Sequence, residues 1–282
     1  MGRLAIIAGG GDLPHIAMRE ALHLGEDPLF FSIRESAFEP HEFSGRTIPV
    51  YITKIGEIFK LCKKNNVDRI LLLGKVNKDI ILKTFKFDFK TISLLARMLN
   101  RNDYSFFKTA ADEFIKEKIE IISQKTYLRS LLLGPGRYTK SKASASILED
   151  VEYGMGIASG LAEMDIGQTV VVTNKMVLAL EAIEGTDETI KRGGQLSRGK
   201  GAVVCKNARS NQDERFDLPT VGANTLDIMS VAGCNALAIR SKETIVVNPH
   251  EFIKHADKLK IHFISYEKDF NWKEHRKLQG NS

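Results

Sequence analysis

The apolar run Leu4-Ala-Ile-Ile-Ala8 ends on three glycines and an aspartate, and the pattern that follows leaves few folds open. A short unbroken apolar run marks a strand buried on both faces. The next segment, 13–24, reads as a helix that Asp12 can cap, with Pro14 in its first turn. A second strand is expected at 29–33, then a helix at 55–64 with Ile55, Ile58, Phe59 and Cys62 on one stripe. Ile70-Leu-Leu-Leu73 is a third strand, ending at Gly74. Strand, helix, strand, helix, strand in this order requires parallel pairing through right-handed crossovers. Further helices are expected at 89–99 and 105–116.

The second half changes character. A Gly/Ser/Lys-rich stretch at 134–146 reads as a linker whose latter part enters a helix over 147–163. Thr169-Val-Val-Val172 and Met176-Val-Leu-Ala-Leu180 flank Thr173-Asn174-Lys175, which reads as an antiparallel hairpin. Short strands are expected at 202–205, 236–239, 244–247 and 262–265, with a helix from Ala223. The expected fold class is therefore α/β. A parallel N-terminal domain spans 1–133, the linker 134–146, a mixed α/β C-terminal domain with antiparallel strands 147–268, and a tail 269–282. That tail carries Phe270 and Trp272 among several lysines.

Composition narrows the function classes. A chain of 282 residues is long enough for roughly two domains. Its 43% hydrophobic and 27% charged content is an ordinary globular balance, which excludes a disordered or collagen-like chain. Lys and Arg number 41 against 35 acidic residues, a net charge of +6 spread along the chain. Such a dispersed excess suits an anionic small substrate or an anionic membrane surface and does not call for nucleic acid. Cys62, Cys205 and Cys234 are far apart and form no C-x-x-C pair, so a reducing compartment is expected. The opening apolar run is too short for a signal-peptide core, and no stretch approaches the roughly 20 apolar residues of a membrane helix.

Four clusters can carry chemistry. Gly9-Gly10-Gly11-Asp12-Leu13-Pro14 follows the first strand, where glycines let the backbone approach a phosphate and a helix N-terminus offers N–H groups. Pro14 stands where the dinucleotide fingerprint needs a glycine, so a nicotinamide site is disfavoured. Lys75 follows the third strand and is expected at the same sheet edge. Glu181, Glu184 and Asp187 gather around Gly185, where oxygens suit a hard cation such as magnesium, and Thr186 or Asp187 can cap the helix bearing Lys191 and Arg192. The densest polar stretch runs from Arg209 through Gln212, Asp213 and Arg215 to Asp217 and Pro219. Its arginines can fork onto phosphate oxygens. His250 and His255 lie about 140° apart around a helix, so they cannot share a zinc face.

In this order and spacing, Leu4-Ala-Ile-Ile-Ala-Gly-Gly-Gly-Asp-Leu-Pro14, Asp165-Ile-Gly-Gln168, Leu180-Glu-Ala-Ile-Glu-Gly-Thr-Asp187 and Gln212-Asp-Glu-Arg-Phe-Asp-Leu-Pro-Thr-Val-Gly222 are familiar. They resemble the UDP-2,3-diacylglucosamine diphosphatases of lipid A biosynthesis, the type unrelated to calcineurin-like phosphoesterases. The resemblance implies a Rossmann-like N-terminal domain and a C-terminal α/β fold peculiar to the family. It implies magnesium-dependent hydrolysis, with manganese as a substitute ion, giving UMP and 2,3-diacylglucosamine 1-phosphate by attack of water on the sugar-side phosphorus. The essential family aspartate falls on Asp217. Where the family often has Lys-Pro-x-Gln-Asp, this chain has Arg209-Ser210-Asn211-Gln212-Asp213, which keeps the charge and releases the backbone.

On this reading Asp217 is the catalytic carboxylate, as metal ligand or base, and Asp187 and Asp213 support it as metal ligands. Gly10, Gly11, Asp12 and Lys75 contact the nucleotide; Lys191, Arg209, Gln212 and Arg215 take the phosphates. The substrate is a lipid-linked UDP-sugar met in the cytoplasm, with peripheral contact to the inner membrane face and a homodimer both compatible. The main rival is a non-catalytic UDP-sugar or nucleotide-binding regulatory module, which would bind UDP without turnover. A nicotinamide-dependent oxidoreductase is a second rival. A nucleic-acid binder, with its steep salt dependence, is a third.

Overall fold

The computed structural model describes residues 2–76, 87–97, 103–209 and 212–268. Asn77, Ser210, Asn211, the end of the helix expected at 89–99 and the 269–282 tail lie outside these residues. The described residues form two compact units: one takes those up to Arg129 together with Asp213–Asp217, and the other those from Ser130 to Gln212 and from Leu218 to Lys268.

The first unit is built on β1 (Arg3–Ala8), β2 (Leu29–Ile33), β3 (Thr47–Val50), β4 (Val67–Leu73) and β5 (Glu120–Ile121), arranged in the order β3-β2-β1-β4-β5. All four pairings are parallel. Both faces of β1 are covered: Leu4, Ala5, Ile6, Ile7 and Ala8 are each at most 5% exposed. Ala5, Ile7, Phe31 and Ile70 pack against α2 (Ile55–Lys64) through Ile55, Ile58, Phe59 and Cys62. Ala111 and Phe114 of α4 (Asp103–Lys116) complete that core, and α3 (Phe89–Arg97) precedes α4. Burying one such aliphatic or aromatic side chain stabilises the fold by about 1.5–3 kcal/mol. α1 (Leu13–His23) buries Ala17, Met18 and Ala21.

Strand β3 is absent from the expected element set. Pro49 lies within it, and proline removes a ladder donor, so its pattern does not read as a strand. The sheet tolerates Pro49 because β3 is an edge strand, paired among the described residues with β2 alone.

The second unit carries a six-stranded sheet in the order β6-β13-β11-β9-β7-β8. Its strands are β6 (Gly136–Arg137), β7 (Thr169–Thr173), β8 (Met176–Leu180), β9 (Val203–Lys206), β11 (Ala236–Arg240) and β13 (His262–Tyr266). β9, β11 and β13 run parallel. β7 is antiparallel to both β8 and β9, as the hairpin reading requires. The stretch read as a linker contributes β6, which pairs with β13, and Ser144, whose hydroxyl accepts from Ile147 N–H at 3.3 Å and caps the following helix.

That helix, α6 (Ala145–Glu163), covers one face of the sheet through Val151, Met155 and Ala158 against Val170, Val203 and Cys205. It follows α5 (Lys125–Leu128) of the first unit. The opposite face is covered by α7 (Thr186–Ser197), α8 (Ala223–Ala232) and α9 (Pro249–Lys258) through Ile190, Leu226, Met229, Phe252 and Ala256. β10 (Thr220–Val221) and β12 (Ile245–Val246) form a separate parallel pair. Among the described residues no helix is long and apolar enough to cross a membrane.

Candidate active site

In the first unit the candidate residues collect at the carboxyl edge of the parallel sheet, where ligands of open α/β sheets gather. Gly10 and Lys75 are brought together, backbone to backbone. Gly10 N–H donates to Lys75 O at 2.9 Å and Lys75 N–H returns to Gly10 O at 2.8 Å. Gly9 N–H donates to Leu73 O at 2.8 Å. This close approach explains two glycines: a Cβ on Gly9 would stand 2.7 Å from Lys75 O, and one on Gly74 2.4 Å from Gly9 O. Gly11 differs, with φ +102° and no atom within 4 Å of the Cβ it lacks. Gly11, Asp12 and Lys75 are all exposed along this rim. The capping role expected for Asp12 is corrected. Its backbone is already helical and its side chain makes no capping bond.

The turn Asp213–Asp217 belongs to this same unit although it lies late in the sequence. Glu214 anchors it. Its carboxylate meets Lys125 Nζ at 2.6 Å and accepts from Ser123 Oγ at 3.0 Å, while its carbonyl accepts from Gln124 N–H at 2.8 Å. Gln124 in turn donates through Nε2 to Leu72 O on β4 at 2.8 Å. Lys125 holds the Glu214 carboxyl below its ordinary range. Because Ser123–Lys125 directly follow β5, the turn is fastened to the edge that also bears Lys75.

Within the turn Arg215 folds back on Asp213 as a fork: Nε to Oδ1 at 2.9 Å and Nη2 to Oδ2 at 2.7 Å, with Arg215 N–H to Oδ1 at 3.1 Å. The Asp213 side chain is only 13% exposed. Phe216 N–H and Asp217 N–H both donate to Asp213 O, at 3.3 and 3.0 Å. Asp213 therefore organises the backbone that presents Asp217.

In the second unit a polar network lies at the carboxyl ends of β8 and β9. Lys206, last residue of β9, sits opposite Thr169, first residue of β7. Lys206 Nζ donates to Thr186 Oγ1 at 2.9 Å, and Thr186 Oγ1 donates to Glu181 Oε1 at 2.9 Å. Glu181 Oε2 accepts from Gln168 N–H at 3.2 Å. Gly167 makes this possible, because a Cβ there would stand 2.2 Å from Glu181 O. Gln168 Nε2 donates to Gln212 Oε1 at 3.4 Å, and the same oxygen accepts from Arg209 N–H at 3.1 Å. Arg209 Nη1 closes the chain on Asp165 Oδ1 at 2.6 Å. Glu181, Arg209 and Gln212 are thus brought together.

Other expected residues fall differently. Neither Thr186 nor Asp187 caps α7; the cap position is Gly185, with φ +82°, and Asp187 is exposed in the first turn. Lys191 pairs with Glu188 at 2.7 Å on the exposed face of α7. Glu184 is held below its ordinary range by its own backbone amide and by Arg192, which it meets at 2.7 Å. Among the described residues no group of three or more His, Cys, Asp or Glu could hold a metal ion. The thiols are buried and free, and burial pushes Cys62 and Cys234 up to about 12, and Cys205 up further. None is a thiolate at neutral pH.

Sequence reasoning overlooked Lys206 and Glu214. A signal for the first exists, since Lys206 ends an otherwise apolar strand, Ala202-Val-Val-Cys205. Glu214 carries none, because its partners lie about 90 positions earlier.

Fold and site together define a two-unit α/β protein with cations and backbone amides at its strand ends, the equipment of a phosphate-handling protein. Residues 3–131 match the LpxI N-terminal domain and residues 134–264 the LpxI C-terminal domain. The chain belongs to the LpxI family. It is similar to UDP-2,3-diacylglucosamine pyrophosphatase LpxI of Caulobacter vibrioides, 28% identical over 269 residues, covering 92% of this chain and 95% of that protein.

Proposed function

We propose that this chain hydrolyses the diphosphate bond of UDP-2,3-diacylglucosamine, giving UMP and 2,3-diacylglucosamine 1-phosphate in lipid A biosynthesis. The observation that carries this reading is the anchored Asp213–Asp217 turn in a chain that aligns with 95% of the length of a protein named for that pyrophosphatase activity. Water adds to the sugar-side phosphorus and its oxygen forms the new P–O bond. The bond from that phosphorus to the bridging oxygen breaks, and the electron pair leaves on UMP. The proton lost by water goes to Asp217 or to solvent. Negative charge grows on the departing phosphate, so cations at the strand ends favour the transition state more than the ground state.

Magnesium binds through one or two carboxylates and completes its shell with substrate phosphate oxygens and water. Asp217 would be the carboxylate that holds the ion, and Asp213, whose two oxygens accept from Arg215, would support it by shaping the turn that carries Asp217. When bound, magnesium or manganese would draw charge from the diphosphate. A cytoplasmic location suits the three free thiols.

The test is incubation with UDP-2,3-diacylglucosamine, with and without magnesium, following UMP release. Wild-type turnover with loss in Asp217→Asn supports the reading. Binding of UDP without any UMP release would make the chain a nucleotide-sugar binding module. Wild-type rates in Asp217→Ala would remove Asp217 from the chemistry.

A further inference from the structure

Lys206 is a lysine where packing alone calls for an apolar residue. Val203, Val204 and Cys205 before it are at most 2% exposed, and Lys206 itself is 9% exposed. Alternation along β9 puts its side chain on the face of Val204, the face covered by α7. Burying an ammonium is costly unless its surroundings favour the charge.

The surroundings position that charge through a relay. Thr186 stands between the ammonium and Glu181, 2.9 Å from each, and Thr169 Oγ1 lies 3.3 Å from the same hydroxyl. Glu181 is itself fixed by Gln168 N–H. Thr186 opens α7, so Nζ sits at a helix N-terminus, where positive potential already gathers. Two positive features held at one point suit an anion. Three residues beyond Lys206 the chain reaches Arg209, whose amide shares Gln212 with Gln168. The network that fixes Lys206 therefore runs on through Gln168 and Gln212 to Arg209.

We propose that Lys206 is a substrate-binding residue of the diphosphatase reaction. Its ammonium takes a non-bridging oxygen of the diphosphate, and Thr186 and Glu181 are its positioning residues. The inference rests on the diphosphatase reading and goes beyond it, since it assigns the anion's contact to a residue outside the Arg209–Asp217 stretch.

Two measurements on the intact chain separate the inference from the reading it rests on. The first is thermal melting with inorganic pyrophosphate, which requires no turnover. Wild type is expected to melt higher with pyrophosphate, and Lys206→Met to lose most of that shift while Lys206→Arg retains part of it. The second is UMP release, where Lys206→Met should fall about 100-fold in kcat/KM, the scale of removing one transition-state donor. Equal pyrophosphate protection of wild type and Lys206→Met, or turnover within threefold of wild type, overturns the role of Lys206. Absence of turnover in wild type overturns the diphosphatase reading, and the melting shift then still decides whether Lys206 binds the anion. Should Lys206→Met not fold, Thr186→Val decides. It keeps the lysine and removes its guide, so pyrophosphate protection must weaken in it, and unchanged protection overturns the proposal.

Discussion

Glu214 and Lys125 meet at 2.6 Å, and this contact fastens a turn from late in the sequence to the loop after β5. Both side chains are partly exposed, so the ion pair contributes little to global stability, about 1 kcal/mol or less. Its importance lies in where it holds Asp217. Glu214→Ala should therefore melt within a few degrees of wild type, while UMP release falls on the order of 10- to 100-fold through misplacement of the turn. A variant that loses stability and activity in proportion would show that the anchor serves folding alone.

The fork between Arg215 and Asp213 leads to a sharper expectation. Arg215→Lys keeps the charge but cannot reproduce two parallel N–H donors on one carboxylate. The largely buried Asp213 would then hold its turn less firmly. Activity should drop at least tenfold, with a stability loss on the order of 1–3 kcal/mol. Denaturant titration beside kinetics checks both figures, and full activity in Arg215→Lys would mean the fork is dispensable.

Three glycines in the same region should behave differently when changed to alanine. At Gly74 the added methyl meets Gly9 O at 2.4 Å with φ at +93°, so clash and strain combine and a loss above about 3 kcal/mol is expected. Gly9→Ala meets Lys75 O at 2.7 Å and should also destabilise. Gly11→Ala meets open space and bears only backbone strain of about 1–2 kcal/mol. Thermal melts of the three variants should rank in that order.

Elements written in local pattern were legible in the sequence. The strand at 29–33 and the helix at 55–64 occupy the residues their apolar spacing implies. β3 escaped because Pro49 argues against a strand, and only its place at the sheet edge makes it tolerable. The expected helix caps failed at Asp12 and at Thr186 for a common reason: residue type shows that a side chain can cap, not what else it will bond. Thr186 is taken by Lys206 and Glu181. The Arg209–Asp217 stretch was legible as dense polarity, but its fastening by Ser123–Lys125 spans too much sequence for any local pattern to reveal.

Acid should expose one further linkage. Lys116 first and Lys90 second hold the Glu113 carboxyl down at about 2, with ion pairs of 2.7 and 2.8 Å. A lowered carboxylate favours the folded state above its unfolded value near 4.3 and loses that contribution as pH falls toward 2. Glu113→Gln should be less stable at pH 7 by on the order of 1–3 kcal/mol and show a flatter stability profile between about pH 4.5 and 2. A mutant curve parallel to wild type over that range would contradict the pairing.

The late segment Asp213–Asp217 has a consequence for anyone dividing this protein. Sequence matching assigns it to the C-terminal domain, 134–264, whereas in three dimensions it clusters with residues up to Arg129. A fragment ending near residue 131 would leave Ser123 and Lys125 facing a missing strap, and the complementary fragment would carry the strap with nothing to buckle it to. The chain changes unit three times, at 129/130, 212/213 and 217/218, so a single cut cannot divide the protein along the boundary its own packing draws.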